Sequence, residues 1–348
     1  MMLAAGFFRQ RLAQQGAMLV VASIVLTGCG KGANPAYEPK TGVVRFSVLS
    51  TSSAQGTGRY WHPVLADLAT RTGLGVEPYY SNSDAKLVEA MRSKKTDAGW
   101  FSNESGLAAV RRGGGEVFAR TIGVNGGDGY ASALIVGAKS PLTLSKVLKC
   151  DRRLTLGLGE LLSTSGTLAP TTYLFAPRDI DPKTCFRQVR VSSDAANLLA
   201  VANGRLDVAT IDTASLAPGQ GTGKPEASEV KVIWRSPPLP GDPIIWRKDL
   251  DPAIKEKLRQ FFLTYGQGNN PEAARQRANL ARANIGGFKP ADDNHLLPVR
   301  EMEAGRAWIE AKQNHDPAKL AAAEKSLDNI RAQREALEGR TREPAAAQ

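Results

Sequence analysis

Three consecutive hydroxyl residues, Ser163, Thr164 and Ser165, are the clearest candidates for binding chemistry in the sequence. They follow the β-type run "LTLGLG" and precede Gly166 and a segment with helical spacing, "TLAPTTYLFAPRD". The first turn of a helix has free backbone N–H groups and the positive end of the helix dipole, and both favour anions. The hydroxyl turn, residues 163–166, is therefore either an ordinary helix N-cap or the floor of an oxyanion site.

Short polar clusters also follow the other predicted strands. In open α/β sheets the ligand binds beyond the carboxyl ends of the strands, where the helices begin. One such cluster is only a helix cap, but six that face one crevice would form a polar binding site. The clusters are "STSS" (50–53), "SNSD" (81–84), "SNES" (102–105), "STSG" (163–166), "SSD" (192–194) and "IDT" (211–213).

Strand-like and helix-like segments alternate along two stretches of the chain. "GVVRFSVLST" (42–51) and "RYWHPVLADLATRTG" (59–73) begin the first stretch, and "RRLTLGLG" restarts the pattern after Cys150. This alternation predicts an α/β fold with a parallel or mixed sheet in each stretch. We expect a two-lobed clamshell, with lobe 1 at residues 42–137 and 238–310, lobe 2 at residues 138–237, and crossing segments near Val136–Ser140 and Trp234–Pro240.

The N-terminus has the features of an export signal. Arg9 and Arg11 precede an apolar run from Ala17 to Leu26 that is too short to span a membrane. The run ends in "LTGC", which resembles a bacterial lipobox and predicts lipidation of Cys29; a plain secretory signal with a chance cysteine is the alternative. We expect a signal peptide at residues 1–28, a tether at residues 29–41, and lipid anchoring on the periplasmic side of a bacterial membrane.

Two further cysteines, Cys150 and Cys185, each precede a β-type run. If the two strands are neighbours in a parallel sheet, their starts lie side by side. An exported protein permits a disulfide there, and two free thiols are the alternative.

The C-terminal tail, residues 311–348, is rich in Ala, Glu, Lys and Arg. Its apolar residues Leu320, Leu327, Ile330 and Leu337 recur near heptad spacing. This pattern predicts a solvated helix or a short coiled-coil arm.

Composition and motifs argue against two classes of protein. The net charge is +11, but the basic residues are scattered and aromatic residues make up only 6%, which disfavours nucleic-acid binding. The three histidines, His62, His295 and His315, have no metal-ligand spacing. Neither a P-loop, nor a dinucleotide fingerprint, nor a G-x-S-x-G elbow is present. We therefore predict no catalysis, no metal and no cofactor.

Five ordered segments resemble the periplasmic substrate-binding proteins of phosphonate ABC transporters. The resemblance covers about residues 43–310 and implies a type II periplasmic-binding fold that closes over a phosphonate or a related phosphorus oxyanion. It also implies a C-terminal helical region that forms a homodimer contact. The segments are "EAMRSKKTDAGWFSNESGLAAV", "VFARTIGVNGGDGYASALIV", "STSGTLAP", "AVANGRLDVAT" and "VKVIWRSPPLPGDPIIWRKDL".

The same resemblance assigns the phosphonate-binding residues. It implies that the phosphonate oxygens meet the hydroxyl turn, through the side chains of Ser163, Thr164 and Ser165 and the backbone N–H of Gly166. Tyr130, in "GDGYAS", matches an aromatic hydroxyl that reaches the same group from lobe 1.

Four aspartates, which we call the acidic wall, distinguish this chain within the resemblance. Asp242 matches an acidic residue at the edge of the cleft, whereas Asp84 stands where an aromatic hydroxyl is expected. Asp194 replaces a histidine, and Asp212 is present although the usual glutamate position is Ala214. We expect these carboxylates to bind a cationic distal group of the ligand; an N-cap or a hinge salt bridge is the alternative for each.

The sequence thus predicts a solute-binding lipoprotein that delivers an amino- or ammonium-bearing phosphonate to ABC permease subunits. Three alternatives differ in ligand or in class. In the first alternative, the ligand is phosphite or methylphosphonate. In the second, the protein is a sensor lipoprotein that does not transport. In the third and least favoured, it is a hydrolase on the same fold.

Overall fold

The computed structural model describes residues 42–49, 58–216 and 225–342, all within the unit Pro39–Gln348. The predicted signal peptide, the tether, Cys29 and the "STSS" cluster lie outside the described residues. The strands are β1 (Val43–Leu49), β2 (Gly75–Ser81), β3 (Ala98–Trp100), β4 (Gly115–Gly123), β5 (Gly129–Tyr130), β6 (Ser132–Gly137), β7 (Thr155–Leu158), β8 (Gln188–Val191), β9 (Val208–Asp212), β10 (Val230–Arg235), β11 (Leu239–Pro240), β12 (Pro243–Arg247) and β13 (Ile285–Pro290).

The helices alternate with these strands as the sequence predicts. The α-helices are α1 (Gly58–Thr72), α2 (Asp84–Arg92), α3 (Asn103–Arg112), α4 (Leu144–Val147), α5 (Pro182–Cys185), α6 (Asp194–Ala202), α7 (Pro225–Ser228), α8 (Pro252–Thr264), α9 (Pro271–Arg282), α10 (Leu297–Gln313) and α11 (Pro317–Arg342). Two π-helical turns, Thr164–Leu168 and Thr171–Phe175, take the place of the regular helix predicted after the hydroxyl turn.

The sheet of lobe 1 has the strand order β13-β4-β12-β3-β1-β2. β1 runs parallel to β2 and β3, whereas β12 is antiparallel to β3 and β4. Its core is aromatic: Phe46 stacks on Phe262, and Phe118 stacks on Trp246 with ring centroids 4.0 Å apart. Trp61 is fully buried in the same core, so it is a packing residue.

The sheet of lobe 2 has the order β10-β6-β9-β7-β8. β7 runs parallel to β8 and β9, so the carboxyl ends of these three strands meet at one edge. The starts of β7 and β8 also lie side by side, and the structure joins Cys150 to Cys185 by a disulfide there.

The first crossing segment, β5, lies earlier in the chain than the predicted Val136–Ser140, whereas the second, β11, lies within the predicted Trp234–Pro240. Ser132–Gly137 was expected in lobe 1, but this strand pairs with β9 and β10 in the sheet of lobe 2. The predicted boundary at residue 137 is therefore wrong, because the apolar run that suggested one more lobe 1 strand is instead a central strand of lobe 2. The chain crosses at β5 and again at β11, which pair with each other as a separate ribbon.

Gly129 is required in this ribbon. The position of its missing Cβ collides with the backbone oxygen of Leu239, so any larger residue would push the two crossing segments apart.

The C-terminal tail folds back on the protein as a helical hairpin. The apolar residues Leu327, Ile330 and Leu337 of α11 pack against Leu297 and Ala304 of α10. The heptad-like stripe thus packs against another helix of the same chain. The homodimer contact remains a prediction.

α10 also reaches across to lobe 2. Thr172 Oγ1 donates a hydrogen bond to the Met302 carbonyl (3.3 Å), and the Gln313 amide donates to Asp179 (2.9 Å). Residues 297–310, which we expected to belong to lobe 1 alone, therefore contact both lobes. No helix among the described residues is long and apolar enough to span a membrane.

Candidate functional site

The hydroxyl turn opens the π-helical segment at the carboxyl end of β7. Ser163 is the N-cap, and its Oγ accepts a hydrogen bond from the backbone N–H of Gly166 (3.1 Å). Thr164, Ser165 and Gly166 are buried. Within the described part of the chain, the backbone N–H groups of Thr164 and Ser165 donate to no acceptor. The turn is both a helix cap and a source of free donors for an anion.

Neighbouring strands hold the carbonyl groups of this turn. Ser132 Oγ, at the start of β6, donates to the Ser165 carbonyl (2.6 Å). Thr210 Oγ1, in β9, donates to the Gly166 carbonyl (2.7 Å). Two strands of lobe 2 therefore fix the backbone of the turn in place.

Gly166 is in the turn because of a close backbone approach. Its N–H is occupied by the cap, while the Gly159 N–H donates to the Gly166 carbonyl (2.9 Å). An added Cβ at Gly166 would lie 2.5 Å from the Cα of Gly159. The glycine therefore brings the helix start directly against the end of β7.

Tyr130 and Asp242 form a pair beside the crossing ribbon. Tyr130 lies in β5, and its hydroxyl donates to Asp242 Oδ1 (3.0 Å). The Asn103 amide, at the start of α3, donates to the same oxygen (3.2 Å) and to the Pro240 carbonyl (2.8 Å). Tyr130 therefore orients an acidic residue of the site.

Burial raises the pKa of Asp242 to about 8, and the nearby Asp212 and Asp84 carboxylates contribute to the increase. The hydrogen bond from Tyr130 acts in the opposite direction. Burial and the Asp242 carboxylate raise the pKa of Tyr130 well above its ordinary value. The buried indole Nε1 of Trp100 has no hydrogen-bond partner among the described residues.

Asp194 and Asp212 meet on the other side of the site. Asp194 is the first residue of α6 and accepts a hydrogen bond from the Asp212 backbone N–H (3.1 Å). The Asp212 carboxylate in turn accepts a hydrogen bond from Ser215 Oγ (2.7 Å). Burial, followed by the charge of Asp212, raises the pKa of Asp194 well above its ordinary value, and Asp84 adds to this effect.

Asp84 is buried at the start of α2. Its Oδ1 accepts a hydrogen bond from Ser102 Oγ (3.0 Å), the N-cap of α3. Burial raises its pKa to about 6, with a further contribution from the Glu160 carboxylate. N-caps are supplied by Ser83 and Ser193 at α2 and α6, so neither Asp84 nor Asp194 is the capping residue that the alternative required.

The structure therefore brings the acidic wall together around one region. The Asp212 and Asp84 carboxylates raise the pKa of Asp242, and the same two carboxylates raise the pKa of Asp194. The hydroxyl turn is adjacent, because Ser132, which holds the turn, pairs with Asp212 in the β6–β9 register.

Sequence reasoning missed two residues of this region. Asn103 lies inside the "SNES" cluster, but nothing in the sequence distinguishes its amide from a helix-start residue. Glu160 follows β7, and its carboxylate accepts a hydrogen bond from the Asp84 backbone N–H (3.2 Å). Within the residues that the structure describes, no cluster of three or more His, Cys, Asp or Glu side chains has the arrangement of a metal site.

Two α/β lobes joined by a paired ribbon, with polar helix starts facing one cleft, are the architecture of type II periplasmic binding proteins. The family model described as "ABC transporter, phosphonate, periplasmic substrate-binding protein" matches residues 46–296. The chain belongs to this family. The resemblance inferred from the sequence segments is thus confirmed.

Individual relatives agree. The chain is 36% identical over 283 residues to the phosphonates-binding periplasmic protein of Escherichia coli (strain K12), covering 81% of this chain and 82% of that protein. A crystal structure of a binding protein component of an ABC phosphonate transporter from Pseudomonas aeruginosa is 36% identical, with a TM-score of 0.80, and covers 85% of this chain and 99% of that one.

A more distant structure shares the fold. A Prochlorococcus marinus (MIT 9301) protein in complex with methylphosphonate is 17% identical, with a TM-score of 0.66, over 75% of this chain and 97% of that one. The E. coli and P. aeruginosa relatives are named as binding proteins, which is consistent with a protein that is not an enzyme.

Proposed function

We propose that this protein captures a phosphonate that bears an ammonium group and delivers it to the permease subunits of an ABC transporter. The phosphonate-binding class follows from the family. The ammonium group is the finer inference, and one observation supports it: four carboxyl groups are collected beside the hydroxyl turn with no basic residue hydrogen-bonded to any of them among the described residues.

The charge balance of the site favours a zwitterionic ligand. Burying carboxylates near each other raises their pKa values, as at Asp84 and Asp242. A bound cation lowers those pKa values and so offsets the free-energy cost of burying the carboxylates next to each other. A phosphonate without a cation would instead bring further negative charge to the acidic wall.

Each part of the ligand then has a separate receptor. The free N–H groups of Thr164 and Ser165, with the hydroxyls of the turn, bind the phosphonate oxygens from lobe 2. Asp242, held by Tyr130, binds the ammonium group from the crossing ribbon, together with the rest of the acidic wall. Closure of the lobes buries the ligand, and the closed form docks on the permease.

The remaining parts of the proposal concern location. Lipidation of Cys29 would anchor the protein on the periplasmic side of the membrane, close to its permease. Mass spectrometry of the mature N-terminus tests this part independently, because a diacylglyceryl-modified Cys29 has a mass that an unmodified cleaved terminus lacks.

Calorimetric titration tests the ligand. The panel is 2-aminoethylphosphonate, methylphosphonate, phosphite, phosphate and an N-methylated aminophosphonate. We expect tight binding only of the compounds that carry both a phosphonate and an ammonium group. A preference for phosphite or methylphosphonate would refute the ammonium assignment and leave the hydroxyl turn intact, and no binding of any compound would refute the ligand class.

A further inference from the structure

The loop between β7 and the hydroxyl turn contacts lobe 1 at three alternate residues. The Asp84 backbone N–H donates to Glu160 Oε2 (3.2 Å). Ser102 Oγ donates to the Leu162 carbonyl (3.1 Å). The Glu104 backbone N–H donates to Thr164 Oγ1 (2.8 Å). The three acceptors are thus Glu160, Leu162 and Thr164.

In all three hydrogen bonds, lobe 1 supplies the donor and lobe 2 supplies the acceptor. The donors come from the first turns of α2 and α3 in lobe 1, and the acceptors come from one loop of lobe 2. Free N–H groups at helix starts need acceptors, and this loop supplies them only when the lobes are closed. Opening the cleft would expose these donors to water and break all three hydrogen bonds together.

Glu160 is the member of this loop that belongs neither to the hydroxyl turn nor to the acidic wall, although its charge raises the pKa of the neighbouring Asp84. Thr164 belongs to the hydroxyl turn, and Leu162 contributes only a backbone carbonyl. Ser102 has one hydroxyl proton within reach of both Leu162 and Asp84, so its contact is shared. The Glu160 carboxylate lies at the start of α2, where the helix dipole favours a negative charge.

We propose that residues 159–164 form a closure latch in which Glu160 is a positioning residue that sets how long the ligand stays bound. The latch rests on the proposed function only for the identity of the ligand. It acts through the closed state, so it slows ligand release without contributing to ligand choice. Its loss therefore has a different signature from the loss of a binding residue.

Stopped-flow measurement of ligand release tests the latch with matched variants. Glu160→Ala removes the acceptor, and we expect release of 2-aminoethylphosphonate to accelerate roughly tenfold, the effect of one hydrogen bond to a charged group. The association rate should not fall, because Glu160→Ala leaves the open form, which admits the ligand, as populated as before or more so. Glu160→Gln keeps an acceptor oxygen but loses the charge, so it should restore slow release in part. Glu335→Ala, on the exposed face of α11, is the control.

Several outcomes would overturn the latch. Unchanged release from Glu160→Ala shows that the contact does not hold the lobes together. Unequal acceleration for different ligands of the panel shows that Glu160 touches the ligand instead. An effect of Glu160→Gln as large as that of Glu160→Ala would mean that the charge, not the acceptor, matters.

A second measurement separates the latch from the proposed function. If no phosphonate binds the unaltered protein, the ligand assignment fails but closure remains measurable by small-angle X-ray scattering. We expect unliganded Glu160→Ala to have a larger radius of gyration than the unaltered protein and than Glu335→Ala. Equal radii for all three proteins would refute the latch.

Discussion

The hydroxyl turn and the acidic wall face the same cleft but differ in how the protein satisfies them. In the hydroxyl turn, Ser163 caps Gly166, and Ser132 and Thr210 occupy the carbonyls. What remains are neutral donors, which water can satisfy at little cost. In the acidic wall, carboxyl groups are buried close to one another, and burial raises the pKa values of Asp84, Asp194 and Asp242.

This difference separates affinity from selectivity. A neutral, preorganised turn binds any tetrahedral oxyanion, because hydrogen-bond donors do not distinguish one phosphorus substituent from another. Under the proposed function, we expect the acidic wall, whose buried carboxyl groups favour a cation, to discriminate between ligands by the group attached to the phosphonate. We expect variants of the turn to affect all ligands, and variants of the wall to affect only charged ones.

The largest effect should come from the turn. Ser163→Ala combined with Thr164→Ala removes two hydroxyls that donate to a charged group, and binding of every phosphonate should weaken about a hundredfold or more. Calorimetry measures the change, with Ser326→Ala on α11 as the control. Unchanged affinity would show that the turn is only a helix cap.

A smaller, selective effect should come from the wall. Asp242→Asn keeps an oxygen that accepts from Tyr130 but removes the charge, and 2-aminoethylphosphonate should bind about tenfold more weakly. Binding of methylphosphonate should not weaken. An equal loss for both compounds would contradict the division between turn and wall, because it would make Asp242 a general binding residue.

The sequence predicts the elements well and the relations between lobes less well. Alternating patterns locate the strands and helices, since each reports local burial. The pattern cannot assign β6 to a lobe, because its run "SALIVG" is apolar throughout and a central strand of either sheet has that composition. The pairing with β9 assigns β6 to lobe 2, and strand pairing depends on residues that are far apart in the sequence.

The site shows the same limit. The hydroxyl turn is visible in the sequence because the cap chemistry and the glycine are adjacent along the chain. Asp84 and Asp242 are far apart in sequence, and their mutual effect exists only after folding. The role of Glu160 was invisible for the same reason, because its partner is a backbone N–H of the other lobe.

A last effect concerns the stability of the protein without ligand and tests the acidic wall directly. Asp242 has its pKa raised from 3.8 to about 8, so the folded state holds this proton more tightly than the unfolded chain does. The resulting stability is fully present below about pH 4 and is lost as the pH rises through 8. We expect the free energy of unfolding to fall between pH 5 and pH 9, and Asp242→Asn to reduce that fall by about 4 kcal/mol, since each unit of pKa shift corresponds to about 1.4 kcal/mol. Urea unfolding at several pH values measures this free energy, and Asp328→Asn on α11 is the control. Identical pH profiles for Asp242→Asn and the unaltered protein would mean that the Asp242 carboxyl is solvated and that burying the acidic wall does not reduce stability.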